Sequence, residues 1–214
     1  CITRSFLFNN NISLAAYPFD WIFSNPKIVL HCIEDNFKTF LDRSYYNCEN
    51  MPPAPDLPHR CSHEYYENVS WGLNHAHPMF NHKNPLDYGE HYQYYIRCVN
   101  RFRNLLNSSC EKLFIMYFIP VCNTSGSFNK NDIIEFNNKF RQYVKYYKLL
   151  VIIQNKIDGD ISYSWSYHDR IIFLELHDFS ENNGLHFMHG PDNDRLKDII
   201  FKKFNFKNAG DCEK

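Results

Sequence analysis

Two continuous apolar runs, Leu113 to Ile119 and Leu149 to Ile153, flank the amphipathic stretch Asp132 to Tyr147. A strand that is apolar at every position has no face for water, and such strands occur in parallel sheets covered on both sides. Strand, helix, strand in that order predicts a right-handed βαβ crossover. Asp158-Gly159 is a tight-turn signal. After it, Ile161 to Tyr167 alternates serines with large side chains, which places an antiparallel strand in the same sheet, and Ile171 to Leu176 supplies one more. A last helix, capped by Asp192 or Asn193, buries Leu196, Ile199, Ile200 and Phe204. The fold class expected is α/β: a single three-layer domain over residues 1–214 with a mixed sheet and a βαβ unit in the C-terminal half. A chain of 214 residues, 44% of them hydrophobic, is long enough for one core of ordinary size.

The N-terminal half reads as helices and loops. Ile2 to Asn9 predicts a short helix. Ser24 or Asn25 as N-cap and Pro26 at the first helical position open a second, whose apolar face runs through Val29, Ile33, Phe37 and Phe40/Leu41. Four prolines between residues 51 and 60 make that stretch an extended surface loop. Val69, Trp71 and Leu73 alternate with polar or small residues and predict a half-buried strand leading into Asn74-His75-Ala76-His77-Pro78. From about Asp87 to Asn107, Tyr92, Tyr95, Ile96, Val99, Phe102 and Leu106 share one helical face, with Arg97 and Arg101 one turn apart on a neighbouring face.

Composition excludes several function classes. A formal net charge of −1 lacks the footprint of a general nucleic-acid or acidic-membrane binder. No apolar run approaches the roughly 20 residues needed to cross a bilayer, so no membrane insertion is expected. The eight cysteines, Cys1, Cys32, Cys48, Cys61, Cys98, Cys110, Cys122 and Cys212, show no small secreted framework and no C-x-x-C pair, and read as mostly reduced thiols in a cytoplasmic setting. The sequons at Asn11, Asn68, Asn107 and Asn123 are what an asparagine-rich chain makes by chance. Abundant Phe, Tyr, Asn, Ile and Lys match AT-rich codons and carry no chemistry.

Few residues carry chemistry. Cys1 stands at the start of a predicted helix, where unpaired N–H groups and the helix dipole favour the thiolate. His75 and His77, with His82 nearby, can place two imidazoles on one side of a strand as metal ligands; a general base or a locally bonded polar loop fits the same pattern. Arg97 and Arg101 can clamp an anion or form a salt-bridged solvent face. Asp20 is a candidate orienting carboxylate, or the cap of its own turn. The tyrosine clusters at 92–95 and 143–147 read as core or interface, with a platform on which a sugar or base stacks as the alternative.

Cys1, a short helix, Tyr17-Pro18-Phe19-Asp20-Trp21-Ile22 and a helix ending Asn36-Phe37-Lys38-Thr39-Phe40-Leu41 together resemble the opening of a family catalogued as papain-like cysteine peptidases of unknown function. The similarity continues with a histidine after a strand, His75 or His77, and with Tyr95-Ile96-Arg97-Cys98-Val99-Asn100-Arg101-Phe102 before an apolar strand. The resemblance implies a cysteine-dependent hydrolase or acyltransferase. Cys1 would be its nucleophile, His75 or His77 the base and Asp20 the orienting group, while Trp21, Arg97 and Arg101 would contact a peptide, acyl or glycan-linked substrate. No cofactor and no metal is called for. The family occurs in bacteria and in large DNA viruses, which implies a cytoplasmic or virion location. A Rossmann-like layer is the alternative fold, with the base sought near the C-terminus at His189-Gly190-Pro191-Asp192. An inactive binding module in glycan or surface-structure assembly, and a metal hydrolase on His75 and His77, are the alternative functions.

Overall fold

Isoleucine, leucine and valine fill the run from Leu149 to Ile153 and make up most of Ile171 to Leu176, and β-branched side chains suit a pleated, buried surface. A computed structural model describes residues 2–13, 15–49, 59–68, 78–118, 129–155 and 159–206. In chain order they form α1 (Ile2–Asn9), α2 (Pro26–Glu34), α3 (Lys38–Leu41), β1 (Tyr46–Asn47), β2 (Ser62–His63), α4 (Gly89–Asn107), β3 (Lys112–Phe118), α5 (Lys130–Phe140), β4 (Tyr147–Asn155), β5 (Ser162–His168), β6 (Ile171–His177) and α6 (Gly190–Lys203). The chain groups into two compact units, the first Cys1–Ala16, Cys110–Pro120 and Tyr146–Lys214, the second Tyr17–Ser109 and Val121–Lys145. Among the described residues no helix is long and apolar enough to cross a membrane.

The first unit is built on a mixed four-stranded sheet in the order β3-β4-β6-β5. β3 and β4 are parallel, with Ile115 opposite Leu150; β4 and β6 are parallel, with Val151 opposite Phe173. β5 runs antiparallel to β6, with Trp165 opposite Leu174, as the serine alternation predicts. With α5 between β3 and β4 in the chain, β3-α5-β4 is the βαβ unit of an α/β fold. One face of the sheet packs Leu150, Ile152, Ile172, Leu174 and Leu176 against Phe179, Phe187, Leu196, Ile199 and Ile200, with Phe6 from α1 and Phe204 at the margin. Leu149, Val151, Ile153, Ile171 and Phe173 point the other way and are buried too, so the central strands are covered on both faces. β3 is only half-buried despite its apolar sequence, because it stands at the end of the strand order.

The second unit is aromatic rather than aliphatic. Phe80 sits among Phe40, Tyr46, His63 and Tyr95, with ring centroids 4.8 to 6.1 Å away. Phe19 stands edge-on to Phe102 at 5.6 Å. α2 starts as its sequence predicts, with Asn25 Oδ1 accepting from the Ile28 amide. It stops at Glu34, short of the predicted Leu41, because Asn36 and Phe37 both take left-handed φ values of 55° and 58°. The Asp35 carboxylate restarts the helix by accepting from the Thr39 amide at 2.8 Å. Arg103 holds the break, donating to the Asn36 carbonyl at 2.6 Å and to its side-chain oxygen at 2.8 Å.

Two further boundaries differ from expectation. α5 ends at Phe140 instead of Tyr147, and Tyr147 opens β4 by pairing with Lys112. α6 is preceded by His189 at the N-cap, which leaves Asp192 in the first turn. The predicted strand at Val69 to Leu73 lies outside the described residues, as do residues 51–58 of the proline stretch.

Candidate functional site

Parallel strands end on a common rim, and in α/β proteins ligands bind beyond those carboxyl ends. Gln154, next to last in β4, is the residue that organises this rim. Its side-chain oxygen accepts from the Tyr117 hydroxyl of β3 at 3.0 Å and from the Asn182 amide at 2.6 Å. Its amide donates to the Ser180 carbonyl at 2.8 Å, which fixes the connection from β6 to α6. Gln154 is buried, so these bonds satisfy polar groups that water does not reach.

Ser180 passes the ordering on to the start of α6. Its backbone N–H donates to Asp192 Oδ2 at 2.9 Å, and its hydroxyl oxygen accepts from the His189 N–H at 3.1 Å. Asp192 is 1% exposed and also takes a hydrogen bond from Arg195 at 3.1 Å. Burial by itself would raise its carboxyl, but the Ser180 amide and hydroxyl and the His189 imidazole outweigh burial and hold it below the ordinary carboxylate value. Its place in the first helical turn favours the same charge.

His189 Nδ1 lies 3.6 Å from Asp192 Oδ2, an ion-pair distance, on a side chain that is 60% exposed. The ensemble is an exposed imidazole at the strand rim, within ion-pair distance of a buried carboxylate held below its ordinary value. Such a group can take and return a proton.

Of the residues singled out from sequence, some lie among the described residues and some do not. Cys1, His75 and His77 lie outside the described residues. Asp20 Oδ2 accepts from the Tyr17 amide at 2.9 Å, and the Asp20 amide donates back to the Tyr17 carbonyl, so the carboxylate caps its own turn. Trp21 is half-buried and edge-on to His82 at 5.5 Å; burial lowers the His82 imidazole. Arg97 is exposed, whereas Arg101 donates to Cys98 Sγ at 3.1 Å. Burial pushes Cys98 up, a Tyr94 hydrogen bond and the Arg101 charge draw it down, and the Asp20 charge pushes it up again.

Ser180, Gln154 and Asn182 carry no sequence motif. The available signal was Gln154 closing an apolar run, since a polar side chain there must find buried partners. Among the described residues no three His, Cys, Asp or Glu side chains converge as a metal site. Compared with known proteins, the chain matches no family model, no curated protein and no solved structure.

Proposed function

We propose that the chain is a cysteine-dependent hydrolase or acyltransferase acting on a peptide, acyl or glycan-linked substrate, with His189 as general base, Asp192 as its orienting carboxylate and Cys1 as nucleophile. The observation that carries this reading is the His189 imidazole held 3.6 Å from a buried, ionised Asp192 beyond the ends of parallel strands. Two features support it further. The helix α1, which begins one residue after Cys1, packs on β3 within the unit that contains His189. The sequence around Asp20 and Trp21 resembles the opening of a cysteine-peptidase family. In the reaction, His189 Nε2 takes the thiol proton and the sulfur attacks the substrate carbonyl carbon. The leaving group departs with that proton, and water or an acceptor then releases the acyl group.

Alkylation with iodoacetamide at pH 6, followed by peptide mapping, tests the proposal. Burial pushes the thiols of Cys32, Cys48, Cys61 and Cys98 up, so they label slowly at that pH. Cys1 is expected to label at least about tenfold faster, as an activated thiolate does, and Asp192→Asn is expected to slow it. Uniform slow labelling of all cysteines would overturn the enzyme in favour of a binding module.

A further inference from the structure

The strand pair β1–β2 carries a second thiol feature that the proposed reaction does not use. Its register pairs Tyr46 with His63 and Asn47 with Ser62, so the next residues along, Cys48 and Cys61, stand directly opposite each other. Hydrogen-bond alternation defines what kind of pair they form. The Glu64 amide donates to the Tyr45 carbonyl at 2.8 Å, which makes residues 45 and 64 a bonded pair and, two steps on, residues 47 and 62 another. Cys61 turns its own N–H and C=O away, to Phe80, at 2.9 and 3.0 Å. Cys48 and Cys61 thus occupy a non-hydrogen-bonded position, where opposed Cα atoms in antiparallel strands are about 4.5 Å apart, inside the range a disulfide spans.

We propose that Cys48 and Cys61 form a reversible cross-strand disulfide that closes the proline-containing segment between them. The surroundings accommodate the loss of both thiol protons. Cys48 donates to Asn84 Oδ1 at 3.3 Å, but that oxygen also accepts from the Leu86 and Asp87 amides, so oxidation orphans nothing. Cys61 donates to the Asn47 and Ser62 carbonyls, which belong to the bonded pair of the ladder. The far end of the segment is already anchored, with the His59 ring 4.9 Å from Tyr88 and 5.3 Å from His91.

The chemistry requires an oxidant of the disulfide class, such as oxidised glutathione. Cys48 is half-buried and Cys61 fully buried, so the Cys48 thiolate attacks first, forming a mixed disulfide and releasing one glutathione thiolate. The Cys61 thiolate then attacks the Cys48 sulfur and releases the second. Two protein thiols lose two electrons and two protons; one glutathione disulfide gains both pairs and leaves as two thiols. Burial raises both protein thiols, as does the Asp87 charge, so the reaction quickens as pH rises above neutrality.

The test is to incubate the full chain with oxidised glutathione at pH 8, block the remaining thiols and map peptides without reduction. The expected result is one cross-linked peptide pair holding Cys48 and Cys61, with the intact mass lower by two hydrogens. The unfolding temperature should rise by roughly 5–10 °C and fall back on reduction. Cys48→Ser and Cys61→Ala should each abolish the shift while the reduced variants still melt cooperatively. Failure to cross-link, a glutathione adduct persisting on Cys48, or cross-links dominated by other cysteines would each overturn the proposal, and none of them bears on Cys1 or His189.

Discussion

The two units solve burial in different ways. The first stacks aliphatic strands in register, so each of Leu150, Ile152, Leu174 and Leu176 is buried by its period alone. Among its described residues the second has two strands of two residues each and relies on rings meeting edge to face, with a neutral histidine and a carboxylate buried among them. Glu67, 1% exposed, accepts from the backbone amides of both His63 and Met79 and so ties β2 to the residues before Phe80. A periodic core tolerates local change because neighbours repeat; an aromatic core concentrates its contacts in a few hubs.

That contrast is broken most directly at its hubs. Phe80→Ala removes a fully buried ring that touches four others and is expected to destabilise the protein by about 3–5 kcal/mol. Leu150→Ala, in the centre of the sheet, should cost about 2–4 kcal/mol. Segment-resolved hydrogen exchange separates them: Phe80→Ala should expose the β1–β2 amides before those of β4 and β6, and Leu150→Ala should do the reverse. Equal loss of protection in all strands for both variants would show that the units do not differ in this way.

Acid sharpens the comparison. His63 is 0% exposed, and burial pushes its imidazole down to about 4, outweighing the Thr39 carbonyl that accepts from Nε2 at 3.1 Å. An unfolded histidine binds its proton near pH 6.5, so below that value the unfolded chain gains a proton that the folded site refuses. Stability is complete above pH 6.5, falls between 6.5 and about 4, and levels off below, a loss of about 3 kcal/mol from this one group. Burial lowers His82 and His91 as well, and both belong to the same unit. Asp192, in the other unit, behaves oppositely: its folded carboxyl lies below 3.8, so its contribution is present above that value and is lost only as pH falls through the lower one. Urea denaturation at pH 7 and pH 4.5 should therefore show β1–β2 losing protection while β4–β6 keep theirs. His63→Phe should flatten the slope across that window.

What the sequence disclosed follows the same division. β4, β6 and the antiparallel β5 are legible because period and composition are local properties of the strand. α5 is overrun in the sequence because Tyr143, Tyr146 and Tyr147 prolong its spacing; the chain turns at Tyr143 and Tyr146, and a pairing with Lys112, 35 residues away, takes Tyr147 for the sheet. The break after α2 is hidden for a related reason. Phe37 and Phe40 keep helical spacing across it, and the group that holds Asn36 in its left-handed conformation is Arg103, 67 residues on. In the candidate site, His189 and Asp192 were visible as a pair of residue types, but Asp192 read as a helix cap. The polar chain from Tyr117 through Gln154 and Ser180 that orders them is assembled only by strand neighbourhood.

Arg103 offers the next, smaller test. Arg103→Ala removes two hydrogen bonds to Asn36 and the guanidinium 5.8 Å from the Phe37 ring centroid. Two bonds from a partly exposed charged group, with some ring contact, are worth about 1–2 kcal/mol. The matched variant Asn36→Gly relieves the positive φ without touching Arg103's contact to the backbone carbonyl. If the left-handed turn is the strained point, Asn36→Gly should be neutral or slightly stabilising, and Arg103→Ala in that background should cost less than it does alone.

The smallest effect belongs to the outer strand of the sheet. β5 exposes Tyr163 and Tyr167, and the Lys203 ammonium at the end of α6 lies 4.9 Å from the Tyr167 ring and 5.6 Å from Trp165. An exposed cation–π contact contributes about 0.5–1 kcal/mol. Lys203→Met keeps the apolar stem and discards the charge, so its cost should stay within that figure and shrink as salt is added. Trp165→Leu should cost more, since Trp165 also packs on Phe204 and on the buried face. That ordering holds only if the aliphatic face beneath β5, and not the ring-and-cation layer outside it, keeps the strand in place; a larger loss from Lys203→Met than from Trp165→Leu would reverse that reading and place the edge of the sheet with the aromatic unit's way of packing.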